Sequence, residues 1–379
     1  MFAVSGFRVL GFSSRSSYCM CLLAAVTIIL AIFVEQLLIQ PDDISVLTDF
    51  GNSARRVLGG FSGFAKRSFT NGFSNTFNAG SGFQDPSGAT AHNQFVYKAA
   101  VAYQPKDRDE SYYKGLNESL RSPTGEDNFF VQANSFSDVY AGVADGVGGW
   151  ASHGYDSSAI SRELCRALAE ISSTFNPEKE LQVSPKELLD LAYSKVLKDG
   201  IVKVGGTTAV VTHFTNNGTF KVANLGDSWC GVFRDSKLIY KTEFQTVGFN
   251  APYQLSIIPE EMAKKAAKRG RSFIHNEPSD ADEYTFQLQE NDIVMLTTDG
   301  VTDNIATEDI EIFLRDNESK IDEDLQAVTD EFVRNVVKLS KDPNFPSVFS
   351  QEYSRLKGKE YRGGKKDDIT VVMVRVGRE

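Results

Sequence analysis

The stretch VADGVGGW, residues 143–150, closes a run of small apolar residues on an aspartate and then breaks into glycines. A β-run that ends this way presents Asp145 at a strand end, and Gly146, with no Cβ, lets its backbone carbonyl approach a ligand. The pattern returns further along the chain. In LTTDGVTDN (296–304) a hydrophobic run stops at Asp299-Gly300, with Asp303 four residues on. In KKDDITVVMV (365–374) Asp367 and Asp368 stand just before the last apolar run. A single Asp-Gly is ordinarily a turn. Two strand-end Asp-Gly pairs and an acidic pair at a strand start form an oxygen-ligand set suited to Mg²⁺ or Mn²⁺ rather than zinc.

Short β-rich runs surround these acids: FVYKAAVAY (95–103), NFFVQA (128–133), DVYAGVA (138–144), TTAVVTHF (207–214), TFKVANL (219–225), SWCGVFR (228–234), YTFQLQ (284–289), DIVMLTT (292–298) and ITVVMVRV (369–376). Asn217-Gly218 between two of them predicts a hairpin. Helical patterns interrupt the strands. Ser184-Pro185-Lys186-Glu187 combines an N-cap, a proline at the first helical position and a capping-box glutamate, predicting a helix to about Lys198. Further helices are predicted over 157–173, over 259–269 (acidic at its start, basic at its end, stopping at Gly270) and between Glu308 and Ser340.

Composition narrows the chemistry. With 41% hydrophobic and 24% charged residues in 379, the chain is globular rather than disordered or collagen-like. The net charge is −10, and residues 1–84 carry six Lys/Arg against four Asp/Glu, so the remainder is more acidic still. Such a body repels nucleic acid, which disfavours a two-metal nuclease, and no nucleic-acid partner is expected. Four cysteines without a CxxC exclude a zinc ribbon, a thioredoxin-like site and a disulfide scaffold. No Cys-x5-Arg loop exists for a thiol phosphatase. Cys165 and Cys230 are read as small buried apolar residues.

Six blocks in order, GED (125–127), ADGVGG (144–149), GGTTAVV (205–211), NLGDSWCGVFR (224–234), TTDGVTDN (297–304) and DDIT (367–370), resemble the motifs of the metal-dependent type 2C protein phosphatases, the PPM family. The likeness is greatest to the branch of mitochondrial and T-cell-activation-type members and runs from about residue 95 to the C-terminus. It implies an α+β fold: a four-layer α-β-β-α sandwich of two antiparallel sheets flanked by helices, with two Mg²⁺ or Mn²⁺ ions in a cleft at one end. It implies hydrolysis of phosphoserine and phosphothreonine in protein substrates. Two such ions about 3.5–4 Å apart acidify a water and clamp phosphoryl oxygens, so no covalent enzyme intermediate is needed. Carried over, the motifs make Asp145 the bridging ligand with the Gly146 carbonyl beside it, and Asp299 and Asp367 its companions. Asp368 then takes the position where the family usually has Asn. Glu126 and Asp127 become outer acceptors for bound water, and Asp303 and Asp227 the parts of a third, weaker site. For Asp227 a plain turn role between two strands stands beside that reading.

Two departures from the motifs motivate an alternative, a catalytically impaired docking or scaffold protein. The family's His after Asp-Gly is Val147 here, leaving a bound water or His153 to supply the leaving-group proton; His153 reads as a surface residue. The phosphate-gripping Arg, four residues before Glu126 in the family, is Ser122 here, and Arg121 lies one place early. A guanidinium fork at Arg121 with a one-residue shift still reaches a phosphate. Residues between about Val247 and Asn276 are expected to flank the substrate.

The N-terminal region lies outside the resemblance. After the basic segment 1–17 comes YCMCLLAAVTIILAIFV (18–34), free of charge; as a helix it spans about 25 Å, and Gln36–Ile39 extends it toward the ~30 Å of a bilayer core. Residues 18–40 are therefore read as a transmembrane anchor, 41–93 as a flexible linker rich in basic residues, Ser, Gly and Phe, and 94–379 as the catalytic domain. A first apolar segment of this kind directs a chain to the endoplasmic reticulum and nuclear envelope, whereas Arg/Ser-rich flanks without acids direct it to mitochondria, with the matrix expected for any form lacking the apolar segment.

Overall fold

The alternating runs pair into two five-stranded antiparallel sheets. In this computed structural model residues 94–109, 112, 116, 122–176 and 183–379 are described. The first sheet runs, in spatial order, β1 (Phe95–Gln104), β14 (Ile369–Arg378), β13 (Ile293–Thr297), β7 (Trp229–Arg234) and β8 (Lys237–Lys241). The second runs β12 (Asp282–Gln287), β6 (Thr219–Leu225), β5 (Ala209–Phe214), β3 (Asp138–Asp145) and β2 (Asp127–Ser135). Short strands pair apart from these: β4 (Gly205–Thr207) with β11 (Leu255–Ile257), and β9 (Thr246–Gly248) with β10 (Ala251–Pro252).

Side chains alternate across a strand, so a strand covered on both faces must be apolar throughout. Along β14, Val372, Val374 and Val376 enter the core between the sheets, while Val371 and Met373 enter the layer beneath the helices. Along β3, Val139, Ala141 and Val143 face the other sheet, whereas Tyr140 and Ala144 face helices. The second sheet is covered by α1 (Ser158–Ser172) and α2 (Pro185–Asp199), with Leu164, Leu168, Leu188 and Leu189 fully buried there. Beyond the 3-10 turns, the remaining helices are α3 (Glu260–Ala267), α4 (Asp299–Thr302), α5 (Thr307–Asp316), α6 (Glu318–Glu323), α7 (Leu325–Ser340) and α8 (Val348–Lys357). Phe332, Val333 and Val336 of α7 and Ile310 and Leu314 of α5 cover the first sheet. The expected four layers, helices on sheet on sheet on helices, are thus observed.

The local signals behave as read. Ser184 accepts a hydrogen bond from the Glu187 amide while the Glu187 carboxylate accepts from the Ser184 amide, so α2 opens on a complete capping box. The Asn217-Gly218 hairpin closes with Gly218 at φ +79°. Strands β8 to β11 and helices α4 and α8 went unforeseen; α8 buries only Ser350 and so carries no apolar stripe to announce it. The apolar run 18–34, the linker and Arg121 lie outside the described residues; among those described, no helix is long and apolar enough to cross a membrane.

Candidate active site

Antiparallel register brings the acids to one end of the sandwich. Asp127 opens β2 and Asp145 closes β3, and the two are direct cross-strand partners. Asp299 lies two residues past the end of β13, and Asp367 and Asp368 precede β14, whose Val371 pairs with Thr297. Asp227 precedes β7, whose Trp229 pairs with the same Thr297. Residues spread over more than two hundred positions meet because each sits at the same end of its strand.

The backbone around them is closely fitted. The Asp145 amide donates to Thr208 Oγ1 (3.1 Å), and its carbonyl accepts from the Thr207 hydroxyl and the Thr208 amide (both 2.9 Å). That leaves the carboxyl as the free part of the residue. Gly146 donates its amide to the Glu126 carbonyl at 3.0 Å, and a Cβ here would overlap the Ser157 and Glu126 carbonyls. Gly125, at φ +77°, lies against the Asp368 carboxylate, where any side chain would collide.

The two adjacent aspartates before β14 have different partners. Asp368, 2% exposed, accepts from both Arg108 terminal nitrogens (2.8 and 2.6 Å) and from the Lys106 and Glu126 amides (2.8 and 3.0 Å). It is saturated. Asp367, partly exposed, meets Lys106 Nζ at 3.1 Å and Lys365 Nζ at 3.3 Å. Lys365 also donates to Asp299 (2.8 Å), Asp303 (2.5 Å) and Asn250 Oδ1 (3.0 Å). Glu126 receives Lys106 (2.9 Å), Arg108 (2.5 Å) and the Tyr112 hydroxyl (2.8 Å). Asp127, 1% exposed, accepts from the Thr298 hydroxyl at 2.7 Å.

Electrostatically the cluster is unbalanced. Eight carboxyls (Glu126, Asp127, Asp145, Asp227, Asp299, Asp303, Asp367, Asp368) face three cations, Lys106, Arg108 and Lys365. Burial, and then the charges of neighbouring aspartates, push Asp127, Asp145 and Asp227 well above the usual carboxylate range. Burial likewise raises Asp303 to about 7, against the opposing pull of Lys365. Burial works against the charge on Asp367 and Glu126 too, but Lys106 with Lys365, and Lys106 with Arg108, hold these two below their ordinary values. Asp227 Oδ1 is buried with no hydrogen-bond partner. An orphaned carboxylate oxygen, an uncompensated negative charge and an all-oxygen donor set fit hard divalent cations. Among the described residues, no three acidic, histidine or cysteine side chains already close around one point; ammonium groups stand between the carboxyls.

Lys106, Arg108 and Lys365 were not read from the sequence. Lys365 had a faint signal, a lysine inside the KKDD block, but Lys106 and Arg108 lie about 260 positions from their Asp367 and Asp368 partners and no spacing rule reaches them. Val147 donates its amide to the Gly206 carbonyl. His153 ends an exposed turn, with Nδ1 3.2 Å from the Gly149 carbonyl. Cys165 and Cys230, 2% and 1% exposed, are buried with their thiols pushed up by burial, as expected of apolar residues.

Two antiparallel sheets flanked by helices thus carry at one end a carboxylate-rich cluster with the donor chemistry of a hard-cation site. Residues 137–377 match the family profile of Stage II sporulation protein E (SpoIIE). The chain is 60% identical over 316 residues to "Protein phosphatase 2C homolog 7, mitochondrial" of Saccharomyces cerevisiae, covering 83% of this chain and 92% of that protein. It is 32% identical over 252 residues to the human "Protein phosphatase PTC7 homolog", covering 66% of this chain and 78% of that protein. The solved photosystem II phosphatase PBCP superposes with a TM-score of 0.58 at 25% identity, over 74% of this chain and 98% of that one. The chain belongs to the type 2C protein phosphatase family and is a protein serine/threonine phosphatase.

Proposed function

We propose that residues 94–379 hydrolyse phosphoserine and phosphothreonine esters at a binuclear Mg²⁺ or Mn²⁺ centre built on Asp145, Gly146, Asp299 and Asp367. The carrying observation is the excess of carboxyls over cations at the strand ends, together with the partnerless Asp227 Oδ1. When bound, two such ions neutralise phosphate charge and acidify a water. Asp145 projects its carboxyl from a main chain clamped by Thr207 and Thr208, so its position is set before any ion arrives. Glu126 and Asp127 stand behind it as acceptors that orient water. Asp227 and Asp303 are assigned to the border of a third cation position beside Asp299, and Lys365 Nζ already reaches Asp299 and Asp303 there. Arg108 and Asp368 brace the wall behind Asp367. The phosphate contact is assigned to Arg121, since Arg108 is committed to Glu126 and Asp368.

The name of the yeast relative supports a mitochondrial location for this chain. Residues 18–40 are proposed as its membrane anchor and 41–93 as the linker to the catalytic domain. A chain lacking 18–40 is expected in the carbonate supernatant and the full chain in the pellet; full-length protein in the supernatant would remove the anchor.

The catalytic test is Mn²⁺-dependent hydrolysis of p-nitrophenyl phosphate by the full chain. Asp145→Asn and Asp299→Asn should each lose more than the ~100-fold typical of an outer-sphere change. Equal rates in wild type and both variants would overturn the assignment.

A further inference from the structure

One of the chain's own ammonium groups sits in the carboxylate cluster as a bound cation would. Four oxygens ring Lys365 Nζ: Asp303 Oδ2 at 2.5 Å, Asp299 Oδ2 at 2.8 Å, Asn250 Oδ1 at 3.0 Å and Asp367 Oδ2 at 3.3 Å. Three carboxylates and one amide oxygen are the donor set of a hard-cation site. The distances suit N–H···O hydrogen bonds, longer than the ~2.0–2.1 Å of a Mg²⁺–oxygen bond.

The lysine does not arrive there by drifting. Its main chain is latched at both ends of one peptide face: the Lys365 amide donates to Asn304 Oδ1, and its carbonyl accepts from Asn304 Nδ2, both at 2.9 Å. Asn304 is 1% exposed and is itself tied to the Gly300 carbonyl at 2.8 Å. The aliphatic stem leads the ammonium over the Phe349 ring, 5.3 Å from its centroid. Its neighbour Lys366 is exposed. The chain therefore aims one lysine of the pair into the acids and turns the other to solvent.

We propose that Lys365 is a tethered occupant of a cation position in the metal centre, so that this phosphatase fills with its own ammonium the place between Asp299, Asp303 and Asp367 where a further divalent ion would sit. The inference rests on the proposed binuclear reading and adds to it. Two ions bind, and the third position is closed by a covalently attached charge. An intramolecular cation carries no concentration dependence, so occupancy there does not follow free Mg²⁺ or Mn²⁺.

The test counts ions on the metal-stripped full chain at one fixed pH, by Mn²⁺ titration calorimetry and by the free-Mn²⁺ electron paramagnetic resonance signal. Wild type is expected to bind two Mn²⁺ per chain. Lys365→Met, which keeps the stem against Phe349, should bind three at the same free Mn²⁺, and Lys365→Gln should do likewise; circular dichroism confirms that each is folded. Asp303→Asn in the Lys365→Met background should return the count to two. Equal counts and affinities in wild type and both Lys365 variants would overturn the inference while leaving the two-ion reading standing. A third ion that survives Asp303→Asn would place it elsewhere and also overturn it. No bound Mn²⁺ in any of these chains would overturn the binuclear reading and the inference together.

Discussion

Strand β3 begins and ends on an aspartate, and the two are treated in opposite ways. Asp138, 3% exposed, has His213 Nε2 at 2.7 Å and the Asn134 amide at 3.1 Å, with Tyr140 stacked on the imidazole at 3.9 Å between ring centroids. The far end of β13 follows the same rule. Asp292, fully buried, takes both faces of the Arg234 fork at 2.8 and 2.9 Å and the Gln289 amide at 2.8 Å. At the other end Asp145 has no cationic partner of its own, and its nearest charged neighbours are aspartates. Asp138 and Asp292, away from the cluster, are each neutralised by one dedicated side chain, whereas Asp145, proposed as the bridging ligand, has no such cation.

Substitution at the two ends separates these roles most sharply. Asp145→Asn should abolish Mn²⁺-dependent turnover by more than ~100-fold, yet in EDTA its thermal midpoint should equal or exceed that of wild type, because an uncompensated buried charge has gone. Asp292→Ala should do the reverse. Leaving the Arg234 guanidinium without its partner costs about 3 kcal/mol, the low end for a broken buried pair because Arg234 is partly exposed. Turnover per folded molecule should hold. If Asp145→Asn unfolds in EDTA while Asp292→Ala does not, the contrast between the two ends is wrong.

A smaller effect follows from the raised carboxyls, read as the thermal midpoint of metal-free protein against pH. A carboxyl whose folded value exceeds its unfolded one binds its proton more tightly when folded, so stability is present below the unfolded value and is lost as pH rises toward the folded value. For Asp303 that window runs from the model-peptide 3.8 to about 7, and Asp127, Asp145 and Asp227 shift in the same direction. Asp367 and Glu126 shift the opposite way, and their contribution falls below the ordinary carboxylate range. In EDTA the midpoint should therefore decline between about pH 4 and 7, and saturating Mn²⁺ should flatten the slope. A midpoint that climbs through this window in EDTA would show that the acids at this end are already compensated.

How much of this was legible beforehand differs between backbone and side chain. The strand ends were readable because a strand buried on both faces is unbroken apolar sequence, and its end is marked by the first charge. Asp145, Asp299 and Asp367 each follow or precede such a run, so their meeting at one end needed only antiparallel pairing. The cations were not readable. Lys106 and Arg108 leave β1 on a segment with no periodicity, and their partners are fixed by tertiary convergence alone. The resemblance separated Asp367 from Asp368, but the brace on Asp368 comes from Arg108, a residue the motif does not contain. The helix α8 escaped for a local reason: lying outside the main core, it needs no apolar stripe.

The smallest expected effect concerns the proton that the leaving alkoxide must gain. The motif position after Asp145-Gly146 holds Val147, an apolar residue whose amide is spent on the Gly206 carbonyl, and no imidazole replaces it there. His153 is six residues further on, exposed at the end of its turn and bound through Nδ1 to Gly149 of that same turn. Moving it to the carboxylates would mean unwinding the turn that Trp150 anchors, 8% exposed and packed on Phe273 at 5.4 Å between ring centroids. The proposed mechanism therefore does not rely on His153 for the proton. His153→Ala should keep p-nitrophenyl phosphate turnover within about two-fold, below the 10²-fold floor for loss of a general acid, and should leave the shape of the pH–rate profile unchanged. The substrate for the sharper form of this test is a phosphoserine peptide, whose alkoxide leaving group needs the proton that p-nitrophenolate does not; a selective loss on the peptide alone would return His153 to the reaction.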